Sequence, residues 1–169
     1  LAACDPLTGI KNKKAIEQAI LDVIQNAADT QKRITLGFVD IDAFRNFNSK
    51  YGQQFGDDVI RFVADTLTDM IPGLVGRYGG DEFLFCYEAM WDREKTEDLA
   101  GHLLQKLNKG ILNEELDKYI PTPCSIGIVS EEGSSLDYVF MLHKADQAMY
   151  HAKNAGKNTF FLAHCEENH

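Results

Sequence analysis

Gly76-Arg77-Tyr78-Gly79-Gly80-Asp81-Glu82-Phe83-Leu84-Phe85 reads as a hairpin whose second strand opens on two carboxylates. A Gly-Gly pair supplies the positive φ that a tight hairpin turn requires, which predicts strands near 74–78 and 82–87. Adjacent acids suit a core strand poorly. They suit a hard cation held over bound phosphate, against the plainer reading of a solvated hairpin tip. A second acid-tipped strand lies upstream, Phe38-Val39-Asp40-Ile41-Asp42. Two such ends in one chain point to a metal-dependent nucleotide site.

Outward from these strands, helices and strands alternate. Asp5-Pro6-Leu7-Thr8-Gly9 is turn chemistry. Asn12 suits an N-cap for a helix running to about Ala28, with Ile16, Ile20, Val23 and Ala27 on one stripe. Residues 34–41 are apolar on both faces, as in a central strand covered on each side. A short helix at 43–51 and a turn at 52–56 follow, and Asp57 starts a helix striped by Val59, Val63, Leu67 and Met70 that ends at Pro72-Gly73. The spacing of Leu99, Leu103, Leu107 and Ile111 predicts a third long helix over about 93–117. A strand is expected at 124–129. Ser134-x-x-Asp137 resembles a capping box for a helix to about Ala155, closed by Gly156, and a last strand is expected at 158–162. This order predicts an α/β fold, a mixed central sheet of about five strands flanked by helices.

At 169 residues the chain is most simply one domain, 1–169, with a core at about 4–162. Its net charge of −9 argues against a nucleic-acid partner, though a local cluster of cations can still meet a small anion. Cys4, Cys86, Cys124 and Cys165 are far apart and form no Cys-x-x-Cys pair. They read as free thiols of a cytoplasmic protein, without a zinc site. No apolar run approaches ~18 residues, so no membrane contact is expected within this segment. The start at Leu1, without Met, suggests a cytoplasmic piece of a longer protein, soluble or membrane-bound as a whole, with a sensor or receiver domain expected upstream.

Over about Cys4 to Leu162 the chain resembles the GGDEF domain, the catalytic domain of diguanylate cyclases. The resemblance rests on Asp5-Pro6-Leu7-Thr8-Gly9-Ile10-Lys11-Asn12, Phe38-Val39-Asp40-Ile41-Asp42-Ala43-Phe44-Arg45, Asn48, Tyr51-Gly52, Gly56-Asp57 and the signature Gly79-Gly80-Asp81-Glu82-Phe83. Ser125-Ile126-Gly127-Ile128, Ala145-Asp146-Gln147-Ala148-Met149-Tyr150, Ala152-Lys153 and Gly156-Lys157-Asn158 extend it in the same order. It implies a palm-like fold akin to class III nucleotide cyclases. It also implies condensation of two GTP into cyclic di-GMP and two pyrophosphates by a homodimer, each protomer presenting one GTP.

By that resemblance Asp40, the main-chain carbonyl of Ile41 and Asp81 hold Mg²⁺, with Mn²⁺ as a substitute and two ions per GTP. Glu82 holds metal or helps deprotonate the attacking 3′-hydroxyl. Asn48 and Asp57 bind guanine, whose adjacent N1–H and amino donors a carboxylate can accept while adenine offers no such pair. The plain reading of Asp57 is an N-cap. Amides of Ala43, Phe44 and Arg45, at a strand-to-helix turn, are placed to cradle phosphates. Lys153 and Lys157, at i and i+4, meet the outer phosphates in this family. Arg45 and Lys50 as side chains are expected in solvent.

Three departures stand out. Gln53 replaces a common His and Ser49 a common Asp, and neither change removes a metal ligand. The product-inhibition motif is absent, because Met70 and Gly73 occupy its Arg and Asp positions. The competing functions are a catalytically silent GTP-binding regulatory domain and a pure dimerisation module.

Overall fold

The computed structural model describes residues 3–27, 32–90 and 92–163. The expected helix end at Ala28 and the thiol of Cys165 lie outside them. Helix α1 (Lys13–Ala27) precedes strand β1 (Arg33–Ile41), followed by α2 (Phe44–Tyr51), α3 (Gln53–Met70), β2 (Leu74–Arg77) and β3 (Glu82–Ala89). Then come α4 (Arg93–Lys109), a hairpin of β4 (Ile111–Asn113) and β5 (Lys118–Ile120), β6 (Cys124–Glu131), α5 (Tyr138–Asn154) and β7 (Thr159–Leu162). Five strands form one mixed sheet in the order β2-β3-β1-β6-β7. β1 is central and antiparallel to both neighbours, and only β6–β7 is parallel.

Alternation along β1 divides the core. Ile34, Leu36 and Phe38 face α1 and α5, packing with Ile16, Ile20, Met141 and Ala145. Val39 and Ile41 face the other way, with Phe83, Phe85 and Ile126 against Val59, Val63, Leu67, Leu103 and Leu107 of α3 and α4. Burying one such side chain contributes about 1.5–3 kcal/mol, so the two layers fix which face each residue of β1 presents. Asp40 inherits the α5 face by the same alternation.

Three elements differ from the sequence expectation. α4 stops at Lys109, because Gly110 takes φ 76 and its N–H bonds to Lys106 O. Ile111 continues the helical spacing by coincidence and lies in the β4–β5 hairpin. The turn expected at 52–56 shrinks to Gly52, at φ 88, and α3 begins at Gln53, so Asp57 is no N-cap. At α5, Asp137 rather than Ser134 is the cap, accepting from Phe140 N at 2.8 Å, while Ser134 sits in a short 3-10 turn. Asn12 caps α1 as expected, accepting from Ala15 N at 2.9 Å. Cys4, Cys86 and Cys124 are free. No helix among the described residues is long and apolar enough to cross a membrane.

Candidate active site

The register of β1 against β3 sets Asp40 directly opposite Glu82. Beyond that pair, Ile41 N donates to Asp81 O at 3.1 Å, fastening the signature turn to the end of β1. Tyr78 N and Gly79 N both donate to Glu82 O, at 2.8 and 3.2 Å. Gly79 and Gly80 are not in the left-handed region, contrary to the expectation of positive φ. With Arg77 paired to Phe83 the loop is wider than a two-residue turn and needs no such conformation. A Cβ at Gly79 would lie 2.5 Å from Glu82 Oε1 and push that carboxylate from its present position.

Arg77 holds this loop from below. Its Nε donates to Gly79 O and Gly80 O at 3.2 Å, its Nη2 to Gly80 O at 2.7 Å, and its Nη1 to Asp5 at 3.1 Å. Asp5 in turn accepts from Thr8 N and Oγ1 at 2.9 and 2.7 Å. Burial pushes the Asp5 carboxyl up, but the Thr8 hydrogen bonds and the Arg77 guanidinium outweigh it and hold it below the usual range. Sequence reading placed Arg77 in the motif without a task. Its position two residues before a loop of bare carbonyls was the available signal.

Asp40 carries the electrostatic signature of the site. Its Oδ2 lies 2.9 Å from Lys153 Nζ, while its buried Oδ1 has no hydrogen-bond partner. Burial pushes this carboxyl up to about 6, with the Asp81 and Glu82 charges adding to the rise and Lys153 opposing it. Glu82 is raised too, by burial first and then by Asp81 and Asp146, against Lys13 and Lys153. Carboxylates that resist ionisation together, one with an orphaned oxygen, suit a hard divalent cation. Among the described residues no three His, Cys, Asp or Glu side chains converge on a metal position. A cation here would need further oxygens, from main chain such as Ile41 O or from a bound ligand.

Two cavities flank the tip of β1. One, of about 600 Å³, is lined by Phe44, Arg45, Asn48, Gln53, Asp57 and Asp81. That is within the range of small-molecule sites. The other, about 460 Å³, brings Asp40 and Lys153 together with Asp146, Tyr150 and His151 of α5. Asn48 and Asp57 thus share one cleft from different helices. Ala43 is left-handed at φ 54 and starts α2, whose first turn faces the same cleft through Phe44 and Arg45. Lys157 departs from the expected pairing with Lys153. α5 ends at Asn154, and Lys157 is exposed in a left-handed turn at φ 66, so the two lysines do not share a helix face. Met70 packs against the core, and at Gly73 a Cβ would come within 2.8 Å of Tyr87 Cβ, so no acidic side chain fits there.

Gly56 lies directly beneath the Asn48 side chain. A Cβ on it would overlap Asn48 Oδ1 and lie 3.5 Å from Phe44 Cζ. Gly56→Ala is expected to leave the thermal midpoint unchanged or higher, because Ala favours a helix interior by up to about 1 kcal/mol. It displaces Asn48, however, and weakens GTP binding by about tenfold, the worth of one or two hydrogen bonds. Calorimetric titration with GTP checks this; parental affinity in the variant would refute Asn48 as a base contact.

The family described as "Diguanylate cyclase, GGDEF domain" matches residues 2–159, and the chain belongs to it. Diguanylate cyclase DgcP of Escherichia coli K12 is 31% identical over 166 residues, covering 95% of this chain and 47% of DgcP. Cyclic di-GMP phosphodiesterase PdeR of the same organism is 31% identical over 170 residues, covering 99% of this chain and 25% of PdeR. The chain thus spans from a quarter to about half of these relatives. The GGDEF domain of DgcB from Caulobacter crescentus, solved in complex with c-di-GMP, superposes with a TM-score of 0.87 at 25% identity, covering 96% of each chain. The palm-like cyclase fold expected from sequence is the fold observed.

Proposed function

We propose that this domain is a diguanylate cyclase: two GTP become cyclic di-GMP and two pyrophosphates, with two copies of the domain each presenting one nucleotide. The observation that carries the reading is Asp40, set opposite Glu82 with a buried oxygen unpartnered, while the adjoining Asp81 lines the cleft that holds Asn48 and Asp57. Each GTP 3′-oxygen attacks the α-phosphorus of the other, gives up its proton, and the bond to pyrophosphate breaks. Asp40, Asp81 and the Ile41 carbonyl would hold Mg²⁺, or Mn²⁺ in its place, two per GTP. Bound there, the metal supplies positive charge to the α-phosphate and the departing pyrophosphate.

The chain's own residues position the nucleotide. Asp57 and Asn48 accept and donate to the guanine edge, which selects GTP over ATP. Amides at the start of α2, from Ala43 to Arg45, and the Lys153 ammonium meet phosphate oxygens. Glu82, with its raised carboxyl, is suited to take the 3′-hydroxyl proton. With Met70 and Gly73 at the inhibitory motif, product does not inhibit through that position. Further domains of a longer protein would bring two copies face to face, and the site works in the cytoplasm, where GTP is available.

A GTP-binding regulatory domain without turnover is the second reading. It draws on Lys153 already sitting on Asp40, and on a relative named for phosphodiesterase activity. The chain dimerised through a fused coiled coil, given Mg²⁺ with equal GTP and ATP, separates the two. Cyclic di-GMP from the parent and none from Asp81→Ala supports the cyclase. GTP binding without product moves the assignment to the regulatory reading.

A further inference from the structure

Asp42 lies just past the end of β1, buried, and the residue roles above leave it without a task. Its Oδ1 accepts from Ser125 Oγ at 2.6 Å and from Lys153 Nζ at 3.3 Å. Its Oδ2 accepts from Asn158 N at 2.8 Å, and its own N–H donates to Pro123 O at 2.9 Å. The start of β6, the last turn of α5 and the left-handed residue leading into β7 therefore meet at one carboxylate. A buried carboxylate persists only when it is hydrogen-bonded and charge-paired, and Lys153 is the one cation among these contacts.

We infer that Asp42 is a positioning residue that holds the Lys153 ammonium at the tip of β1, ready for a phosphate. The inference rests on the cyclase reading, in which Asp40 binds a cation. An Asp40 carboxylate engaged by a divalent cation loses much of its attraction for Lys153. Asp42 is anchored independently by Ser125 and Asn158 and keeps the lysine from scattering among the many rotamers its flexible stem allows. A merely structural Asp42 would tie Asn158 and Ser125 together and leave phosphate affinity alone.

The test is calorimetric binding of inorganic tripolyphosphate in excess Mg²⁺ to the parent chain, Asp42→Asn, Lys153→Met and the double variant. Asp42→Asn is expected to weaken binding about tenfold, and the double variant to bind no worse than Lys153→Met, since Asp42 acts through the lysine. Ser125→Ala, which keeps the charge and fills nearly the same volume, is expected to lose about two- to fivefold and guards against misfolding of Asp42→Asn. Parental affinity in folded Asp42→Asn and Ser125→Ala would overturn the inference. So would an equal loss from Asp42→Asn in the Lys153→Met background, or a parent that binds no tripolyphosphate. Coupled losses in a parent that makes no cyclic dinucleotide would uphold the positioning role and overturn the cyclase reading alone.

Discussion

Asp40→Asn is expected to abolish cyclisation, by about a thousandfold or more, while making the metal-free chain more stable above pH 6. The two effects share one cause. A carboxyl raised from 3.8 to about 6 binds its proton more tightly in the folded state than in the unfolded one. Its contribution therefore favours the fold at low pH and is lost as pH climbs from about 4 through about 6. Above that range the folded chain carries a buried charge with an unpartnered oxygen, and asparagine spares it that charge. The full shift corresponds to about 3 kcal/mol; solvent contact at the rim reduces this to about 1–2 kcal/mol. Melting in a chelator should then place the variant roughly 2–8 °C above the parent at pH 8, with the gap closing towards pH 4. Mg²⁺ raises the parent and not the variant. A variant that melts below the parent at pH 8 would sink this account of the site.

The largest loss of stability is expected from Gly127→Ala. A Cβ there would overlap Ala145 O and Met149 N and lie 2.9 Å from Ala148 C, all main-chain atoms of α5. No rotamer change relieves that overlap, so α5 must lift from β6. The cost is about 3 kcal/mol or more, a fall of roughly 6–12 °C in thermal midpoint. GTP binding should fall as well, because Lys153 travels with α5. Gly101→Ala is the contrast: an added Cβ in α4 meets nothing within 4 Å, and the helix gains up to about 1 kcal/mol. Similar midpoints for the two variants would mean that α5 packs less closely on β6 than the structure shows.

Much of this fold was legible because its elements have strong periods. β1 alternates between two apolar layers, and α1, α3 and α4 each carry a stripe. What stayed hidden depended on contacts remote in sequence. The spacing from Leu99 to Ile111 continued past the real end of α4, and only Gly110, pressed against the main chain of Ile120 and Pro121, stops it. Gly79 and Gly80 sit in a loop wider than a two-residue turn and do not use left-handed φ. Gly56 looked like turn chemistry but is a gap for Asn48. The acids and lysine of the site were readable as residue types, whereas the clustering of Asp42, Ser125, Lys153 and Asn158 required the closed sheet. The i and i+4 spacing of Lys153 and Lys157 gave no sign that Lys157 leaves the helix in a left-handed turn past Asn154.

The strand order β2-β3-β1-β6-β7 bears on how such a chain is made. β1, apolar on both faces, gains its first neighbour when Glu82–Ala89 has been synthesised and its second only with Cys124–Glu131. At typical rates of translation, roughly 5–20 residues per second, one side of β1 stays bare for several seconds. During that interval the segment from Ile34 to Ile41 offers an open hydrogen-bonding edge to any passing strand. The carboxylate at Asp40 is the only charge on that stretch, the kind of residue that discourages mispairing while the edge is open.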